Sequence, residues 1–272
     1  MRLALILLAI PLWAVEDANA ILKRWILAQE QNDQRAKQYT YTQTTSRYVY
    51  GGNHKLQQKR TETHEIIFVE GFQFRKLVSR NGRPLSSGER KRVEDEMRET
   101  AAQRRRHSVP LAPGGRIFSG QEGADVGSTE ELLSHFENLV TGETTIRGHK
   151  AWIIESLPKP GLVPSSRHEE EILCFHRRLW IDESDNLALR QIFTVACDSI
   201  FAKPGSTLSF EFDKGELDTS HPFQFILEMY KPKGKSSQPV GRTEYQMSNF
   251  RKFDVESTIT PGDSPIPEAS RP

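Results

Sequence analysis

The chain has 272 residues, a formal net charge of +1, 27% charged and 36% hydrophobic residues. Its 14 Phe, 6 Tyr and 4 Trp can build a core, which excludes wholesale disorder. Near-neutral charge excludes nucleic-acid binding by bulk attraction, and 2 Cys exclude a disulfide-dense scaffold or a four-cysteine zinc module.

Residues 1–20, MRLALILLAIPLWAVEDANA, place Arg2 before an apolar run from Leu3 to Val15. The run is too short to cross ~30 Å of hydrocarbon, and Ala18-Asn19-Ala20 fits a small-x-small cleavage site. Residues 1–20 are therefore predicted to be a secretory signal peptide, with a cut after Ala14 as the alternative to Ala20. The chain is expected to be periplasmic or otherwise exported, an oxidising setting for Cys174 and Cys197.

Residues 19–38 carry Ile21, Leu22, Trp25 and Ile26 at helical spacing, with Asn19 as a candidate cap. From Tyr39 the period changes to two. YTYTQTTSRYVY, residues 55–67 and residues 72–78 predict an antiparallel meander, broken at Gly51–His54, Glu70-Gly71 and Asn81-Gly82. Residues 86–107 predict a charged helix capped by Ser86 or Ser87. From Arg75 to His107 there are 11 Lys and Arg against 5 Asp and Glu, whereas Gln121 to Ile146 holds 6 acids and no Lys or Arg. The run Arg104-Arg105-Arg106-His107 reads first as a solvated helix end, with the acidic segment or an anionic membrane surface as alternatives.

Pro110 to Gly127 is a Gly- and Pro-rich loop. Ser128-Thr129-Glu130-Glu131 then resembles a capping box before Leu132, Leu133, Phe136, Leu139 and Val140, predicting a helix over 128–140. Strands are predicted over 144–157, 172–182, 187–200, 206–213, 223–231 and 241–253. A hairpin that pairs Asp182 with Leu187 sets Cys174 opposite Val195. Cys197 then lies two residues further along the same face, so a disulfide is within reach. Two buried free thiols are the alternative. Residues 254–272, with four prolines, predict a disordered tail, leaving 21–253 as a single domain.

No nucleophile elbow, phosphate loop, dinucleotide fingerprint or HExxH is present. His168, Glu169, Glu170, Glu171, Cys174 and His176 satisfy no single ligand spacing and read as a charged lead-in to a strand. Asp182, Glu183 and Asp185 read as a turn facing water. No catalytic residue, metal or cofactor is expected. More informative are the strand faces: Trp152 and Ile154, Leu179 and Ile181, Phe193 and Val195, Phe210 and Phe212, Phe225 and Leu227. On one curved antiparallel sheet they form a continuous apolar concave surface. Either helices fill it as a core, or a hollow remains for an apolar ligand.

The leading helix before YTYTQTT, FRKLVSRNGRPLS before a charged helix, IRGHKAWIIESLPKPG, RRLWIDESDNLALRQ and Tyr245 to Phe253 (YQMSNFRKF) together resemble exported bacterial proteins of the LolA-like, outer-membrane lipoprotein-sorting superfamily. The resemblance covers most of 19–253, and its motifs are structural. It implies an α+β fold: a curved antiparallel β half-barrel with a few helices over its concave face. It also implies a non-enzymatic carrier or binder of the acyl chains of lipid or lipoprotein, with transient contact at a membrane surface. The alternative is an envelope sensor or protein-interaction domain whose core is self-filled. Neither implies a nucleic-acid partner.

Overall fold

The computed structural model describes residues 16–36, 38–51, 55–69, 72–106, 133–198, 203–213, 219–233 and 236–252. The predicted signal run 1–15, the loop 110–127, the capping box at 128–131 and the tail 254–272 lie outside them. Among the described residues, all strands belong to one antiparallel sheet. They are β1 (Tyr39–Tyr50), β2 (Leu56–Val69), β3 (Phe72–Arg80), β4 (Arg83–Pro84), β5 (Phe136–Ile146), β6 (His149–Pro158), β7 (Phe175–Asp182), β8 (Ala188–Val195), β9 (Thr207–Asp213), β10 (His221–Lys233) and β11 (Ser236–Lys252). The order is β4-β3-β2-β1-β11-β10-β9-β8-β7-β6-β5, so the sheet does not close and β4 and β5 are its edges. Helices α1 (Ala18–Ala36), α2 (Ser87–Arg106) and α3 (Arg167–Ile172) complete an α+β half-barrel.

Short-range chemistry explains the turns. Asn81 and Gly82 have φ of 49° and 73°, the left-handed pair that a tight hairpin demands. Ser86 caps α2: its hydroxyl accepts from the Glu89 amide at 3.4 Å, while the Glu89 carboxylate accepts from the Ser86 amide at 2.9 Å. The Ser86 hydrogen bonds hold the Glu89 carboxyl below its usual range, against a smaller upward pull from desolvation.

Several sequence expectations change. Asp17, not Asn19, caps α1, its carboxylate accepting from the amides of Asn19 at 3.3 Å and Ala20 at 3.2 Å. Of the helix expected over 128–140, residues 133–135 are helical and 128–132 lie outside the described residues, while Phe136, Leu139 and Val140 lie on β5. Their spacing fits a helical stripe, but pairing with β6 wins, aided by the β-branched Thr141, Thr144, Thr145 and Ile146. The single strand expected over 144–157 is a hairpin turned at Arg147 and Gly148, with φ of 47° and 85°. Residues 167–172 form α3, capped by the Ser166 hydroxyl, so β7 starts only at Phe175. The Asp182–Leu187 hairpin forms, the Asp182 amide donating to the Leu187 carbonyl at 2.9 Å. Leu189 bulges out between the Trp180 and Ile181 pairs, however, and beyond it the register moves by one, so Phe175, not Cys174, faces Val195. Cys174 and Cys197 form a disulfide, with Cα atoms 5.2 Å apart. It ties the end of α3 to the end of β8.

Candidate ligand-binding hollow

Strand register sets the inner face of the sheet. One row across it runs Val140, Ile154, Leu179, Gln191, Phe210, Phe225, Tyr245, Thr45, Glu62 and Arg80. The next row holds Ser156, Arg177, Phe193, Leu208, Leu227, Thr243, Arg47 and Arg60. In these rows the inner face is mainly apolar from β6 to β11 and polar from β1 to β3, with the buried Ile66 of β2 further along the same face.

All ten residues read from the sequence as an apolar surface lie on this inner face. Ile154, Leu179, Ile181, Phe193, Val195, Phe210, Phe212 and Phe225 are buried, while Trp152 and Leu227 are half-buried. They fall into two clusters. The first joins Ile154, Leu179 and Ile181 to Phe136, Ile172 and the helix residues Ala18, Ile21 and Leu22. The second spans β7 to β11 and holds Phe175, Phe193, Val195, Leu208, Phe210, Phe212, Phe225 and Tyr245; α1 adds only Trp25 to it. Its rings pack on one another: Phe210 stacks on Phe225 at 4.4 Å, Phe225 on Tyr245 at 4.8 Å, and Phe193 meets Phe210 edge-on at 5.9 Å.

Polar contacts fix α1 across the hollow. The Asn138 amide donates to Asn19 Oδ1 at 2.9 Å, and Arg24 Nε donates to Asn186 Oδ1 at 3.0 Å. Near the other end, Asn32 Nδ2 donates to the Ser220 carbonyl at 2.6 Å, and Asn32 Oδ1 accepts from the Ser220 amide at 2.7 Å and the Thr219 hydroxyl at 2.9 Å. Beneath the helix the floor is not wholly apolar. Ser156 Oγ, Gln191 Nε2 and Trp25 Nε1 are buried without a hydrogen-bond partner. Arg177, only 5% exposed, holds its guanidinium 4.5 Å from the centre of the Phe136 ring.

The polar part of the inner face was not foreseen. Arg47 on β1 lies directly opposite Arg60 on β2, because Lys59 bulges out of the pairing between them. Glu62 pairs with Arg60 and, at 3.6 Å, with Arg80. Glu89 of α2 reaches Arg80 at 3.4 Å. His64, beside them on β2, has its pKa pushed down to about 4, first by burial and then by Arg75, against a smaller upward pull from Glu62.

The charged clusters weighed as metal or acid–base sites do not assemble. Glu169 pairs with His135 at 3.1 Å and accepts from Ser165; Asp182, 1% exposed, pairs with His149 at 2.9 Å and accepts from the Ser184 amide and hydroxyl. Among the described residues, no group of three His, Cys, Asp or Glu side chains is placed to hold a metal ion. No helix among them is long and apolar enough to cross a membrane.

No family model matches the sequence, and no curated protein matches it. Solved structures do. The chain is similar to a DUF1329 family protein from Desulfovibrio piger, at 15% identity and TM-score 0.42 over 89% of this chain and 95% of that one. It is similar to a LolA superfamily protein from Nitrosomonas europaea, at 11% identity and TM-score 0.37 over 89% and 96%. An outer membrane lipoprotein-sorting protein domain from Vibrio parahaemolyticus aligns at 12% identity and TM-score 0.38 over 87% and 93%.

Proposed function

We propose that this chain is an exported, non-enzymatic binder of the acyl chains of lipid or lipoprotein, with α1 as the cover of its binding hollow. One observation carries the reading. The apolar floor from β7 to β11 has nine buried side chains in its own cluster, and of α1 only Trp25 packs on it. Displacing α1 would open the first cluster as well, since Ala18, Ile21 and Leu22 are its lid. An acyl chain laid there replaces apolar contacts with apolar contacts, and each buried methylene contributes roughly 0.8 kcal/mol. The part-buried ties at Asn19 and Arg24 exchange with water more readily than the buried bonds of Asn32, which make Asn32 the main latch of the cover.

A second reading, an envelope protein-interaction domain with a self-filled core, draws on the depth of burial: Ile154 and Ile181 are 0% exposed and Val195 1%. Native mass spectrometry of protein purified from a periplasmic extract without detergent separates the two. The acyl-binding reading expects a mass of the chain plus a phospholipid or fatty acid. It also expects the Leu227→Asp variant, altered at a half-buried position of the inner face between Leu208 and Thr243, to lose that cargo while staying folded. A bare mass, together with no uptake of a fluorescent fatty acid by the delipidated protein, would overturn it in favour of the interaction domain.

A further inference from the structure

The inner face of β1–β3 is cationic and carries a local conflict. Arg47 and Arg60 are direct cross-strand partners, and like charges so placed repel. Arg80 and Arg75 stand on the same face one strand further out, opposite Glu62 and Ile66. Glu62 and Glu89 answer Arg60 and Arg80, and among the described residues Arg47 and Arg75 have no carboxylate partner. Two buried nitrogens there, His64 Nδ1 and Arg75 Nε, also lack a hydrogen-bond partner. Arg47, Arg60 and Arg80 are exposed, so the face is open to an incoming group. It adjoins the apolar floor through the row Phe225, Tyr245, Thr45 and Glu62.

From this we infer that the inner face of β1–β3 binds the phosphate of an anionic lipid headgroup, held between Arg47 and Arg60 with Arg75 and Arg80 beside them. The occupant follows from charge and position. A cationic face that continues an apolar hollow fits an amphiphile whose chain lies on the floor and whose head is an anion. Guanidinium groups match phosphate geometry in pairs, and the anion would also relieve the Arg47–Arg60 repulsion. The inference rests on the acyl-binding reading for the course of the chain, whereas the arginines stand on their own geometry.

The test uses calorimetric titration of the full mature protein, delipidated, with three probes: a myristoyl lysophosphatidylglycerol, the matching lysophosphatidylcholine and glycerol 1-phosphate. The variant is Arg47→Gln/Arg60→Gln. It is expected to stay folded, because loss of the Arg47–Arg60 repulsion offsets loss of the Arg60–Glu62 pair and Arg80 still faces Glu62 at 3.6 Å. The parent is expected to favour the anionic over the zwitterionic lysolipid by about tenfold, and the variant to narrow that preference to within about twofold. Equal binding of both lysolipids, unchanged in the variant, would remove the headgroup site and leave the acyl-binding reading intact. If neither lysolipid binds better than glycerol 1-phosphate, the acyl-binding reading fails instead. In that event, loss of glycerol 1-phosphate binding in the variant keeps the arginines as the phosphate site, and its persistence removes them.

Discussion

Asn32 is the strongest polar tie between α1 and the sheet, and Asn32→Ala tests whether the helix is a separable cover. The side chain is 2% exposed and makes three hydrogen bonds, of 2.6, 2.7 and 2.9 Å, to the segment that leads into β10. Ser220 is itself buried, at 5%, so truncation strands both its amide and its carbonyl. At about 1 kcal/mol net per bond the loss comes to about 3 kcal/mol, with the stranded groups tending to raise it. For a chain of this size that is a fall of about 6–12 °C in melting temperature. Equilibrium denaturation gives the stability change, and an environment-sensitive apolar dye reports the hollow. The expected result is a loss of about 3 kcal/mol with a gain of dye binding under native conditions and an unchanged strand signal in circular dichroism. A loss below about 1 kcal/mol, with no gain in dye binding, would refute the view that Asn32 holds the cover down.

Three further outcomes are expected. The Cys174–Cys197 bond closes a loop with a sequence separation of 23, so Cys174→Ser/Cys197→Ser should cost about 3 kcal/mol in denaturant unfolding, equal to the effect of reductant on the parent. His64 is held near pKa 4 when folded against an ordinary 6.5, so between those values the unfolded chain binds more protons; stability should therefore fall as pH drops from about 6.5 to about 4. His64→Gln should flatten part of that slope in pH-dependent thermal melts, and His221, whose pKa is also lowered by burial, contributes to what remains. On export, the mature chain should begin after Ala14 rather than Ala20, because the later cut removes the Asp17 cap and Ala18, which is only 5% exposed; intact-mass measurement decides between them.

The sequence carried its local rules openly and its long-range ones poorly. Tyr39 to Tyr50 alternates so regularly that β1 could be read to the residue, and Asn81-Gly82 announced its own turn. Arg147-Gly148 did not, since a left-handed Arg carries no turn signature and the residues on both sides are good strand formers. The helix expected at 128–140 is helical at 133–135 and ends early for a related reason: the spacing on to Val140 fits a helix stripe, and only the presence of β6 as a partner decides for the strand from Phe136. The inner face of the hollow was readable from alternation alone, because period two places Phe193 with Val195 and Phe210 with Phe212 whatever the register. What covers that face was not readable, because the placement of Trp25 and Asn32 depends on where α1 crosses the sheet. The arginine face was hidden for the same cause: Arg47 and Arg60 meet only through a bulge that no residue pattern in β2 marks.

The pairing of β1 with β11 has a consequence for how the chain must assemble. These strands are the first and last of the sheet, yet they sit side by side inside it, from Tyr39 against Lys252 to Val49 against Gly241. Each half of the sheet can grow by nearest-neighbour hairpins, β1 to β4 on one side and β5 to β11 on the other. The seam between the halves waits for the last strand and closes a loop of some two hundred residues. Contacts so far apart in sequence form late and slowly. Until they form, β1 and β11 each present an open edge to any other chain nearby. A truncation that removes β11 would therefore break the sheet at this seam, leaving β1–β4, among the described residues, tied to the rest through α1 alone.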